Sequence, residues 1–274
     1  DTLVTANNWK CSECENDNAL ENEECEMCAS KKPGSGSAED VGSARVTCSD
    51  MRRPCNSGRT PMYAASSENN MEAMQWLFDH GAQEDVRTPE DDGWTPIHFA
   101  CRYNNLETAQ WLFDHGAQED VQTPAKNGLT PMSSAAIKSQ VKVMQWLYDH
   151  GAQEDVVRAA HNSDGTTTNM LFAARNTSVE VLQWLYDHGA TDDVRTPDSG
   201  GCTPMWIASS KNNVEIMQWL YDHGAQEDVR TANTHVIPRT PMFIASQYEH
   251  VEAMTWLHEH GVKWVEGKIP AQSK

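Results

Sequence analysis

The chain writes QWLFDHGAQEDV at 75–86 and again, letter for letter, at 110–121, and QWLYDHGAQEDV at 145–156 and 218–229. Aligned on the Trp-Leu pair, the copies place Trp76, Trp111, Trp146, Trp184, Trp219 and Trp256 at spacings of 35, 35, 38, 35 and 37 residues. A second marker keeps the same register upstream: Thr60-Pro61-Met62, Thr95-Pro96-Ile97, Thr130-Pro131-Met132, Thr168-Asn169-Met170, Thr203-Pro204-Met205 and Thr240-Pro241-Met242. Two independent markers on one spacing define six repeats, and a period between about 20 and 50 residues predicts a stacked array. Active sites are rarely duplicated along a chain, so the repetition reads as scaffold. Each copy is buried by its neighbours, and identical copies imply identical packing environments.

Within a unit, Thr before Pro predicts a helix start, with the hydroxyl as N-cap and Pro at the first helical position. In the second unit this first helix carries Ile97, Phe99 and Ala100 and pauses at Asn104-Asn105, where Asn tolerates a left-handed turn. A second helix follows, with Leu106, Ala109, Leu112 and Phe113 at helical spacing and Trp111 widening the apolar face. Gly116 is its natural stop. The polar, turn-rich remainder to Gly128 predicts an extended finger.

These features resemble the ankyrin repeat, whose T-P-L-H-x-A-A and L-L-x-x-G-A pattern is met by TPIHFAC at 95–101 and WLFDHGA at 111–117. The resemblance runs from about Asp50, where DMRRPCNSGRTPM parallels DVRTPDSGGCTPM at 193–205, to about Lys263. It implies an all-α repeat solenoid of six stacked helix-pair units with finger loops, occupying 50–274 with a C-terminal tail. The fourth unit departs from the pattern. Its Thr168-Asn169 replaces Thr-Pro and its preceding finger, Val157 to Gly165, is three residues longer, so its first helix is expected to start less firmly.

The repeated positions read as structural. The six Trp lie in the register of the core pair, and His80, His115, His150, His188, His223 and His260 each precede a Gly at a helix end, facing the last carbonyls. The fingers carry Glu84-Asp85, Glu119-Asp120, Glu154-Asp155, Asp192-Asp193 and Glu227-Asp228, expected to align as a solvated anionic ladder that Arg87, Arg195 and Arg230 partly offset. Variable positions speak to recognition instead. By the resemblance, the first-helix region and the finger tips line the concave surface such arrays present to partners. Tyr63, Trp94, His98, Arg102, Tyr103, Trp206 and Phe243 differ from unit to unit there and form the expected protein-binding set, since Tyr, Trp and Arg are typical hot-spot residues.

Ahead of the array, residues 9–28 read WKCSECENDNALENEECEMC. Cys11 and Cys14, then Cys25 and Cys28, form two C-x-x-C knuckles, the donor set of one tetrahedral structural zinc. Seven acids and no base between Cys11 and Cys28 provide no core, so metal must hold this segment together. Trp9, the four cysteines and Asn18 also resemble the Ran-binding-protein type of zinc finger, whose members bind ubiquitin, the GTPase Ran or single-stranded RNA. Glu15-Asn16 stands where ubiquitin binders carry Thr-Phe, and the loop lacks the basic and stacking residues of RNA binders. The expected organisation is a zinc finger at 1–30, a Gly/Ser-rich flexible linker at 31–49 and the array.

With 40 acidic against 21 basic residues the formal charge is -19, which excludes nucleic acid and anionic membranes as partners and suits a basic protein. No apolar run approaches the roughly 20 residues that span a bilayer. Tight C-x-x-C spacing favours a reducing intracellular compartment over a disulfide framework. No nucleophile elbow, phosphate-cradling glycine loop or zinc-protease helix is present. The sequence therefore reads as a non-enzymatic adaptor, with a permanently bound structural subunit or a non-catalytic piece of a ubiquitin-pathway enzyme as the alternatives.

Overall fold

The computed structural model describes residues 52–157, 167–176 and 178–263. Among them are twelve α-helices in six pairs: α1 Pro61–Ser67 and α2 Met71–Asp79, α3 Pro96–Arg102 and α4 Leu106–Asp114, α5 Pro131–Ile137 and α6 Val141–Asp149, α7 Asn169–Asn176 and α8 Val179–Asp187, α9 Pro204–Ser210 and α10 Val214–Asp222, α11 Pro241–Gln247 and α12 Val251–Glu259. A short 3-10 turn follows the second helix in each of the first five pairs. The chain divides into two compact bodies. One holds Glu107–Asp120 with the described residues up to Ala100, and the other holds Cys101–Leu106 with those from Val121 onward.

The first helices start where the Thr-Pro marker predicts. Thr60, Thr130, Thr203 and Thr240 accept through their hydroxyls from the backbone N–H groups of Tyr63, Ser133, Trp206 and Phe243. Each cap satisfies an otherwise orphaned donor and contributes about 1 kcal/mol. The fourth unit corrects the expectation of a weaker start. Thr168 accepts from the Leu171 N–H just as its counterparts do, and Asn169, fully buried, donates to the carbonyls of Asp155 and Val156 at 2.7 and 3.2 Å. An amide at that position thus ties the helix start to the preceding finger, a bond that proline cannot make.

Between paired helices the backbone turns left-handed at Asn69, Asn104, Ser139, Asn212 and Glu249, with φ between 56 and 63°. Asn fills three of these five positions because its side chain tolerates that region.

The repeated dodecapeptide acquires a physical reading residue by residue. In the second body, the Trp184, Trp219 and Trp256 indoles each donate at 2.9 Å to the side-chain oxygen of a Gln one unit earlier: Gln145, Gln183 and Gln218. Those glutamines use their amide N–H groups on the Asp four residues on, Asp149, Asp187 and Asp222. Tyr148, Tyr186 and Tyr221 turn their ring edges toward the same tryptophans and toward His188, His223 and His260. The first body repeats the arrangement with Trp111 on Gln75 and with Phe78 edge-on to Trp111 and His115.

All six histidines end their helices as expected. Each Nδ1–H donates to the carbonyl of the Trp four residues earlier at 2.7 Å, and each ring stacks on that indole at 3.8–4.5 Å. Imidazole thereby caps the last turn and fills the space beside Trp.

The fingers differ from the expected solvated ladder. Only the first acid of each pair is exposed; Asp85, Asp120, Asp155 and Asp228 are buried. Arginine does not serve its own finger but the next. Arg52 lies 2.9 and 3.0 Å from Glu84 and Asp85, Arg87 lies 2.8 and 3.0 Å from Glu119 and Asp120, and Arg195 lies 3.1 Å from both Glu227 and Asp228. Arg230, the third predicted counter-charge, donates instead to the Gly261 carbonyl at 2.9 Å.

Candidate protein-docking face

The expected recognition residues separate by body and by depth. In the first body Tyr63, Trp94 and His98 are buried and form a cluster with Phe99. The Tyr63 ring lies 4.8 Å from Phe99, Trp94 stands edge-on to His98 and Phe99, and the Arg59 guanidinium lies 5.4 Å from the Tyr63 ring. Arg59 pairs in turn with the buried carboxylate of Glu90 at 2.6 Å. His98 meets the Thr95 hydroxyl at 2.8 Å and accepts at the same Nδ1 from the Thr95 N–H. Burial of Tyr63 pushes its phenol pKa well up, so the ring stays neutral. These three side chains shape their surroundings and offer a partner almost no surface.

The second body holds the other four. Tyr103 is 53% exposed and Arg102 half-buried at the end of α3. Trp206 is half-buried on α9, and its indole donates to the Arg239 carbonyl at 2.9 Å. The Arg239 guanidinium lies 5.6 Å from the Phe243 ring centroid and donates to the Gln247 amide oxygen at 3.3 Å. Phe243, one turn before Gln247 on α11, is 38% exposed. Trp206, Arg239, Phe243 and Gln247 therefore make one contiguous strip from α9 across the finger to α11.

Three members of this neighbourhood escape the variable-position argument: Arg239, Val236 and Ile237. Val236 and Ile237 are fully and largely exposed in the finger before α11. That finger is anchored from below. Buried Asn233 accepts from the Arg239 N–H at 2.9 Å and the Thr234 N–H donates to the Gly200 carbonyl at 2.9 Å. Gly201, at φ +72°, lies so close that a Cβ there would meet the Thr234 nitrogen at 2.6 Å. The available signal was the 37-residue spacing from Trp219 to Trp256, two longer than the usual 35, in a finger that carries the apolar pair Val236-Ile237 among polar residues.

Chemically this strip presents a flat aromatic flanked by a guanidinium and an apolar loop tip. Those groups recognise protein side chains by burial and cation–π contact and supply no nucleophile or general base. Cys11, Cys14, Cys25 and Cys28 lie outside the described residues.

A family model described as ankyrin repeats (3 copies) matches residues 41–123, 62–159, 154–233 and 171–268. No curated protein matches the chain. No helix among the described residues is long and apolar enough to cross a membrane.

Proposed function

The chain belongs to the ankyrin-repeat family, whose members are generally protein–protein interaction modules, and on that premise we propose that it is a non-enzymatic adaptor docking a protein on the strip formed by Trp206, Arg239 and Phe243. The observation that supports this reading is Phe243. At the aligned position in the first unit, Tyr63 is covered by Phe99; Phe243 has the Arg239 guanidinium beside it and remains 38% exposed. An exposed aromatic beside an arginine suits a hot spot, because little side-chain entropy is lost when it is covered. The formal charge of -19 favours a partner with a basic rim.

Residues 1–30 are proposed to add a second contact point. The donor set of Cys11, Cys14, Cys25 and Cys28 fits a closed, structural zinc site, with residues 31–49 as its flexible tether. Such a zinc would supply folding energy to a segment without a core, and no chemistry. Because Glu15-Asn16 replaces Thr-Phe, ubiquitin is not the ligand this reading favours.

A photo-crosslinking amino acid placed at Phe243 of the full chain, in native extract, should yield a discrete adduct that disappears with Arg239→Glu. The same probe at Asp222, on the outer end of α10, should yield none. Equal labelling from both positions would show that the strip has no privileged role.

A further inference from the structure

The acidic character of the chain is not spread evenly over the second body. Its first helices α5, α7, α9 and α11 contain no Asp or Glu. Three of them end on an exposed cation: Lys138 just after α5, Arg175 in the last turn of α7 and Lys211 just after α9. Among the described residues no carboxylate lies within ion-pair distance of Lys138 or Lys211. The second helices carry the opposite sign, with Asp149, Asp187, Asp222 and Glu259 at their last positions.

The helix dipole does not explain this division. A C-terminus favours a cation and opposes an anion, yet each second helix of this body ends on a carboxylate. Sign follows the row of helices and not the helix end. Because α5, α7, α9 and α11 pack side by side in that order, Lys138, Arg175 and Lys211 stand in one line, a helix spacing of about 8–10 Å apart. The fourth place in that line is Tyr248, 58% exposed just after α11. Its neighbour Gln247 accepts from Arg239, whose guanidinium lies against Phe243. The row of cations thus runs into the Trp206–Arg239–Phe243 strip.

We infer that the partner segment laid along this row is an acidic peptide in extended, polyproline-type conformation, with a carboxylate at every third residue and an apolar residue beyond the last of them. Such a segment is the part of the partner that meets the Phe243 strip, and its identification rests on the docking role given to that strip. Three residues of a polyproline-type chain rise about 9 Å and return to the same side, which sets the carboxylates at the spacing of the helices. The apolar residue at the end covers Phe243 and Tyr248. The net charge that favours a basic rim is carried by the fingers and the second helices and acts on the body of the partner, whereas the row selects the segment. A nucleic-acid strand fits the row less well. It carries a charge about every 3.4 Å, and Ile137, Asn176 and Ser210 beside the cations give a base no ring to stack on.

The test is fluorescence anisotropy of the full chain at low salt, with a labelled peptide of three Glu-Pro-Pro repeats and a Leu at each end. Saturable binding is expected, at least about tenfold tighter than for the same peptide built on Gln-Pro-Pro. Lys138→Glu with Lys211→Glu should abolish that preference, and Lys138→Arg with Lys211→Arg should retain it. Tm should stay near the parent's in both variants, since the two side chains are exposed. Phe243→Ala reports separately on the strip: a Glu preference that survives it without loss of affinity keeps the charged row and removes the strip reading. Equal binding of the Glu and Gln peptides, no effect of the charge reversals, or equally tight binding of an oligo(dT) of the same charge would overturn the proposal. So would carbodiimide cross-links in the isolated chain that join Lys138 or Lys211 to carboxylates of residues 15–26 or of a second copy, which would assign the row to the chain itself.

Discussion

Arg195 lies two residues beyond Asp193, yet its guanidinium pairs with Asp228, 33 residues on, at 3.1 Å. The clasp repeats from Arg52 to Asp85 and from Arg87 to Asp120, so fingers are linked forward along the chain. Burial pushes the pKa of Asp85 and Asp120 up, and the arginine opposes it. Removing the cation leaves a buried carboxylate without its counter-charge. Arg195→Ala is expected to cost about 1–3 kcal/mol, with the partly exposed guanidinium at the lower end. Urea unfolding of the variant measures it; a loss typical of a surface pair, near zero, would show that the clasp contributes nothing.

Asp193 has no arginine at the position that would clasp it. The position that should supply its arginine is Val157, half-exposed, and the Oδ2 of Asp193 is buried without a hydrogen-bond partner. Burial, with a smaller contribution from Asp192, pushes its pKa up to about 6, against the Thr196 hydroxyl. The folded state thus holds this proton more tightly than the unfolded chain, and stability falls as pH rises from about 4 to about 6. Asp193→Asn removes the dependence. Its unfolding free energy should equal the parent's near pH 4, exceed it progressively up to pH 6 and run parallel above, by about 1–2 kcal/mol after allowance for partial exposure. A difference independent of pH would contradict the assignment.

Val157→Arg is the complementary substitution. It restores the residue found at Arg52, Arg87 and Arg195, and a guanidinium beside Asp193 favours the carboxylate. The Asp193 carboxyl resonance, followed by NMR, should titrate lower in the variant than in the parent. An unchanged titration would mean that the longer following finger displaces the clasp geometry.

The indole–Gln bond and the packing around it can be separated. Trp184→Ala empties a buried site and orphans Gln145, at an expected cost of about 3–5 kcal/mol. Trp184→Phe keeps most of the apolar volume and loses only the donor, costing about 1 kcal/mol. Comparable losses in the two variants, read from Tm, would place the energy in the hydrogen bond and not in packing.

Most of the scaffold was legible because it is written several times. Thr-Pro fixes the helix starts, Gly the stops, and the Trp-His pair the last turn; each depends on residues within one turn of each other. Asn169 was misread because its role is non-local: a Pro-less start looks weak until the amide is seen reaching the Asp155 and Val156 carbonyls. The acid pairs looked solvated for the same reason, since their arginines come from 32 or 33 residues earlier. Recognition residues were the least legible. Variation identified Tyr63, Trp94 and His98 as readily as Phe243, but exposure is decided by what the next unit lays over each side chain. Phe99 covers Tyr63, while among the described residues no helix follows α12 to cover Phe243.

The proposed zinc finger predicts one zinc per chain by native mass spectrometry. Cys25→Ser should release the metal and leave the thermal transition of the helix pairs unchanged, because the described helix pairs begin at Pro61, beyond the four cysteines in sequence. Absence of zinc, or a disulfide among Cys11, Cys14, Cys25 and Cys28, would defeat it.

The central claim is that repeated residues stabilise and the Trp206–Arg239–Phe243 strip binds. Its most direct test is paired measurement of Tm and partner affinity for Phe243→Ala and Trp219→Ala, once the Phe243 cross-link has delivered the partner. Phe243→Ala should keep the parent Tm and weaken binding by about 2 kcal/mol or more, whereas Trp219→Ala should lower Tm outright and, below its transition, bind as the parent does. Parent-like affinity in Phe243→Ala would contradict the account.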